Sequence, residues 1–151
     1  MGQLTNRVAL ITGAGAGIGR GIARRYAAEG AALVLAERDA ASGKQCEEEI
    51  VKEFGVRAEF IATDVGVKDQ VRAAVELAVT RFGRLDVLVN NAWGGGQIGR
   101  LEKKSDALME HGFRTGLMSA FWAMQAAYPY MRRQSWGRIV TVCSLNGVNA
   151  H

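Results

Sequence analysis

Residues 12–23 read TGAGAGIGRGIA and follow directly on RVALIT, residues 7–12. A short apolar run that closes in glycines and resumes at helical spacing is a strand, a tight turn and a helix. Ile18, Ile22, Ala23, Tyr26 and Ala27 carry the helical repeat, and Gly30 stops it. Gly13, Gly15, Gly17 and Gly19 fall in the turn and the first helical residues. Backbone without Cβ turns tightly and lets a diphosphate come close, and the helix N-terminus offers it free N–H groups and partial positive charge. The spacing is G-x-x-x-G-x-G rather than G-x-G-x-x-G, and no Lys-Ser/Thr pair follows as in a P-loop. Taken alone, such a turn is equally a plain strand-to-helix connection.

The same alternation continues along the chain. ALVLA (32–36), AEFIA (58–62), LDVLV (85–89) and the stretch Arg138 to Cys143 read as strands two to five. A helix over 40–54 buries Cys46, Ile50 and Phe54. In the next one Val71, Ala74, Val75, Ala78, Val79 and Phe82 repeat at helical spacing. A glycine loop at 94–96 precedes a long helix over about 105–133. Strands of continuous apolar residues alternating with helices make a parallel sheet covered on both faces. With right-handed crossovers the fold class is α/β, a doubly wound, Rossmann-type parallel sheet that stops after the fifth strand.

At 151 residues the chain is expected to be one domain. With 48% apolar and 23% charged residues it is an ordinary globular mixture. The net charge of +4 includes the pairs Arg24-Arg25 and Arg132-Arg133, but no basic stripe interleaved with aromatics, so no nucleic-acid partner is expected. Cys46 and Cys143 lack CxxC spacing and read as small core residues in a reducing compartment. No metal ligand set is visible, and neither His111 nor His151 has triad or metal partners at recognisable spacing. The N-terminus shows no signal-peptide pattern, and the uncharged stretch 115–131 is short for a span and contains Gln125 and Pro129. A cytoplasmic protein with no membrane partner is expected.

Glu37 stands at the end of strand two, where it could accept hydrogen bonds from a ribose diol and repel a 2′-phosphate. On residue type alone it is equally a helix N-terminal charge. TGAGAGIG (12–19), DV (64–65, after strand three) and NNA (90–92, after strand four) stand in order and at the usual intervals. Together they closely resemble the short-chain dehydrogenase/reductase family in its classical subgroup, from about Gln3 to the end of the chain. The resemblance implies a nicotinamide dinucleotide cofactor. Thr12, Gly13, Ala14, Gly15, Gly17, Ile18 and Gly19 would hold its diphosphate, and Asp64 with Val65 its adenine. Asn90, Asn91 and Ala92 would line the adenosine side and brace the sheet. Glu37 stands at the family's acidic NAD position and Ala16 in a slot often basic in NADP-using members. NAD is therefore expected over NADP, although Arg38 could in principle reach a phosphate.

The family's chemistry rests on Asn, Ser, Tyr and Lys, a tuned acid/base beside a hydride donor. IVTVCS (139–144) matches its serine strand, which makes Ser144 the catalytic candidate. The Asn position falls on Gly116, which has no side chain to support a relay water; Ser119 is a possible substitute. Trp93 replaces the glycine of the family's NNAG and would either narrow the opening near the cofactor or pack on the loop 94–96. The Tyr-x-x-x-Lys pair would lie past His151, and Tyr26, Tyr128 and Tyr130 have no lysine four residues on. The expectation is an NAD-dependent alcohol/ketone dehydrogenase whose catalytic Tyr and Lys are missing from these residues, so that the 151 residues alone are inactive. The alternatives are a non-catalytic dinucleotide- or partner-binding module and, more weakly, an S-adenosylmethionine site, which leaves NNA and Ser144 unaccounted for. Leu117, Phe121, Met124 and Tyr128 form an uncharged face on the long helix, and the family implies a homo-oligomer through it.

Overall fold

The structure, a computed structural model, describes residues 2–94 and 100–144. Gly95 and Gly96 of the expected glycine loop, and His151, lie outside the described residues. Five strands, β1 (Val8–Thr12), β2 (Ala32–Glu37), β3 (Ala58–Ala62), β4 (Val87–Asn90) and β5 (Arg138–Thr141), pair in the order β3-β2-β1-β4-β5, all parallel. The chain winds outward from β1 to β3, then returns to the other side of β1 for β4. The strand order reverses there, so a crevice opens between the carboxyl ends of β1 and β4.

The strands alternate their side chains between two cores. Ala9, Ile11, Leu33, Leu35, Val87 and Val89 meet α1 (Gly17–Ala28) and α2 (Ala40–Phe54) through Ala23, Ala27, Cys46 and Ile50. Val8, Leu10, Val34 and Leu88 face α3 (Lys68–Phe82) and α5 (Ser119–Arg133) through Val71, Ala74, Val75, Ala78, Trp122 and Ala123. Burial on both faces is what makes β1, β2 and β4 continuous apolar runs. Asp39 caps α2 by accepting the Ser42 N–H at 2.7 Å, and left-handed Gly55 and Gly83 end α2 and α3.

At the amino ends of the strands one carboxylate ties three strands together. Asp86, fully buried, accepts two hydrogen bonds from Arg84 at 2.6 Å each, one from Arg7 at 3.0 Å and one from the Val8 N–H at 2.9 Å. Its carbonyl accepts the Arg138 N–H at the start of β5. The Arg7 guanidinium also stacks 3.9 Å from the Trp136 ring. Burial works to raise the Asp86 pKa, but the hydrogen bonds from Arg84, Val8 and Arg7 outweigh it and hold the carboxyl below its ordinary value.

Three features differ from the sequence reading. The long helix is not regular: α4 (Asp106–Phe113) passes into a π-helical turn, Arg114–Met118, before α5. Thr115 donates to the His111 carbonyl and Ser119 to that of Thr115, side-chain bonds that compete with the regular ladder. The Ser119 hydroxyl is thus engaged inside the helix. Second, Cys143 is exposed rather than core. Among the described residues β5 pairs with β4 alone, and Ile139, Val140 and Val142 are exposed as well. Third, Ile18 is exposed, on the outer side of a first turn whose Gly19 packs against the glycine turn. On the expected apolar helix face Leu117, Phe121 and Tyr128 are exposed, whereas Met124 turns in against the core.

Replacing Asp86 with Asn should cost about 1–3 kcal/mol, since a neutral amide cannot accept from both arginines and the Val8 N–H. The depressed pKa makes the carboxylate's contribution present above the ordinary carboxylate value of about 3.9 and lost as pH falls through the lower folded value. Urea melts between neutral pH and pH about 2 should therefore show the gap between wild type and Asp86→Asn closing on acidification.

Candidate cofactor-binding crevice

The carboxyl ends of β1 and β4 are joined by side chains rather than by the ladder alone. The Thr12 hydroxyl donates to the Val89 carbonyl at 3.3 Å and accepts the N–H groups of Asn91 and Ala92 at 3.0 and 3.1 Å. The Asn91 amide returns the link, donating to the carbonyls of Thr12 and Gly13 at 3.0 and 3.3 Å. The glycine turn is thereby held against β4, while Gly13 and Ala14 both donate to the Ala36 carbonyl on β2.

Within the turn, a Cβ on Gly19 would lie 2.0 Å from the Gly13 carbonyl oxygen, so only glycine lets α1 start this close to β1. Gly17 differs. Its φ of 53° is left-handed and nothing stands within 4 Å of the Cβ position, which leaves a bare backbone beside open space. Ala16 is the N-cap of α1 and has no side chain to cap it, and the first turn carries no acid. The first-turn N–H groups and the positive helix end are left for an anion. A diphosphate fits such a cradle.

Glu37 closes one end of the crevice. Its carboxylate accepts the Gly15 N–H at 3.1 Å through one oxygen and the Arg38 and Asp39 N–H groups at 2.8 and 3.1 Å through the other. Because Asp39 supplies the α2 cap, Glu37 is not the helix-end charge that residue type alone allowed. Asp64 accepts the Gly66 N–H at 2.8 Å, and its own N–H donates to Gln70, so the backbone after β3 is held beside buried Thr63 and Val65.

Trp93, Gly94 and Thr115 form the opposite wall. The Gly94 N–H donates to the Thr115 hydroxyl at 3.3 Å, and His111 Nε2 donates to the Gly94 carbonyl at 2.9 Å. The segment after β4 is thus pinned to the helix at its π turn.

The crevice, of about 300 Å³, brings together Gly13, Glu37, Asp64, Val65, Asn91 and Ala92, with Ala16 and Arg38 beside them. Gly15, Gly17, Ile18 and Gly19 form the turn and the helix start above it. Thr12 and Ala14 are buried beneath, and the Asn90 amide turns towards β5, 3.5 Å from the Thr141 hydroxyl. Ser144 is exposed just past β5, outside the lining residues. Thr63, Gly94 and Thr115 line the crevice and were not singled out from the sequence. Thr63 could have been found, since it directly precedes Asp64 at a strand end. Thr115 lies mid-helix far along the chain and carries no local signal.

Thr12→Val keeps the shape of the side chain but removes the hydroxyl that two N–H groups depend on. It should cost about 1–3 kcal/mol by urea unfolding, with Thr12→Ser closer to wild type.

Comparison with known proteins agrees with this geometry. The family model for short chain dehydrogenase matches residues 7–151. The 12alpha-hydroxysteroid dehydrogenase of Clostridium sp. is 34% identical over 154 residues, covering 98% of this chain and 59% of the relative. Xanthoxin dehydrogenase of Arabidopsis thaliana is 36% identical over 148 residues, covering 97% and 52%. Among solved structures, a 7 alpha-hydroxysteroid dehydrogenase complexed with NADH and 7-oxo glycochenodeoxycholic acid superposes with a TM-score of 0.92 at 31% identity, over 98% of this chain and 57% of that one. An NAD+-bound xylitol dehydrogenase gives 0.93 at 30%, over 99% and 57%. The chain thus spans little more than half the length of these relatives. Its sheet order, its glycine turn and its match along residues 7–151 make it a member of the short-chain dehydrogenase family.

Proposed function

We propose that these residues form the dinucleotide-binding part, a single domain continued by further sequence, of an NAD-dependent dehydrogenase or reductase acting on an alcohol or ketone. The observation that carries the NAD reading is Glu37. Three backbone N–H groups hold its carboxylate at one end of the crevice, in place to accept from a ribose diol and to repel a 2′-phosphate. Gly13, Gly17 and the start of α1 would take the diphosphate, Asp64 and Val65 the adenine, and Asn91 and Ala92 the adjoining ribose. When bound, the nicotinamide supplies the hydride acceptor or donor. Ser144, at the end of β5, would hold the substrate oxygen, and Tyr and Lys would come from sequence beyond His151.

The exposed face of Leu117, Phe121 and Tyr128 supports a homo-oligomer through 105–133. No helix among the described residues is long and apolar enough to cross a membrane, in keeping with a cytoplasmic enzyme. One observation favours the non-catalytic alternative. Gly116 has no side chain, and Ser119 is turned into the helix, so neither offers a group to a relay water at this wall.

Calorimetric titration tests the reading. NADH should bind at least about tenfold more tightly than NADPH, a difference of about 1.4 kcal/mol, and Glu37→Gln should narrow that gap by removing the negative charge. Equal affinities, or an unchanged gap in the variant, would remove the role given to Glu37. Absence of any dinucleotide binding would remove the function itself.

A further inference from the structure

Trp93 and Gly116 are far apart in sequence and meet at the crevice wall. A Cβ built on Gly116 lies 3.4 Å from Cδ1 and 3.8 Å from Nε1 of Trp93. The pyrrole edge of the indole therefore packs on bare helix backbone at the π turn. Trp93 as a whole is 67% exposed while lining the crevice. Its position is held from both sides. Ala92 is tied to Thr12, and Gly94 is tied to Thr115 and His111. A large aromatic ring held at the crevice wall by an anchored backbone offers its face to a ligand in the crevice.

The topology says which part of the ligand. Glu37 ends β2, the glycine turn follows β1, Trp93 follows β4 and Ser144 follows β5, and these strands are adjacent in the order β2-β1-β4-β5. A dinucleotide with its adenosine half among Glu37, Asp64, Asn91 and Ala92 and its diphosphate at the turn runs on past Ala92, and Trp93 is the next residue along that wall, on the side towards β5.

Resting on the NAD reading above, we infer that Trp93 is a specificity-determining residue. Its exposed ring system is an aromatic wall for the nicotinamide half of the cofactor, and the indole lies where the outer atoms of a side chain at 116 longer than that of alanine would reach. The two residues act as one unit. An alanine at 116 is tolerated, since its Cβ would be in ordinary contact, but the outer atoms of a longer side chain compete with the indole.

The test compares NADH with ADP-ribose, which lacks only the nicotinamide ring, by calorimetry and by energy transfer from tryptophan to NADH. In Trp93→Ala the NADH Kd should weaken by about three- to tenfold, the scale of one aromatic contact, with that of ADP-ribose unchanged. Trp93→Phe, which keeps a six-membered ring, should retain most of the difference and serves if the alanine variant does not fold. Gly116→Asn should reproduce the NADH loss in the wild-type background and do nothing further in Trp93→Ala. Equal weakening of both probes, no change in either, or an effect of Gly116→Asn that is the same in both backgrounds would overturn the inference. Wild-type protein that binds neither probe would overturn the NAD reading, and this wall with it.

Discussion

The crevice exists because Thr12 and Asn91 take over where the β1–β4 ladder stops. In a parallel sheet the last residues of adjacent strands must part for a ligand to enter between the loops that follow them. Parting leaves buried backbone donors and acceptors without partners. Here a single hydroxyl satisfies two N–H groups on the β4 side, and a single amide satisfies two carbonyls on the β1 side. No buried side-chain polar atom among the described residues lacks a partner.

The opposite ends of the strands are closed by a different device. Asp86 is a buried anion with two arginines that reach out towards water, and it grips β1, β4 and β5 where no ligand is needed. A charge cluster there is rigid and tolerant of solvent on one side. At the crevice end the tie is neutral, and the charges at the opening come from Glu37, Arg38, Asp64 and the positive end of α1.

The wall opposite Glu37 shows how a local irregularity serves a distant contact. The π turn around Gly116 arises from hydroxyls that bond back into the helix. The same Thr115 hydroxyl accepts the Gly94 N–H and so fixes the segment that carries Trp93.

The sequence by itself determined the layers. Continuous apolar strands demanded a sheet buried on two faces, and α2 and β3 lie where their periodicity puts them, because burial reads out as composition at short range. Glu37 and the glycine turn were legible because each stands at the end of an apolar strand, while Asp64 was legible only through the resemblance of DV (64–65) to the family motif. Only the tertiary structure decided the rest. The exposure of Cys143 depends on what covers β5, which no local pattern encodes. The service of Asn91 to β1 and of Asn90 to β5 depends on strand order. Thr115 became a wall residue, and Trp93 the neighbour of Gly116, because a crossover brings a helix back over the end of β4, and such long-range contacts leave no period in the chain.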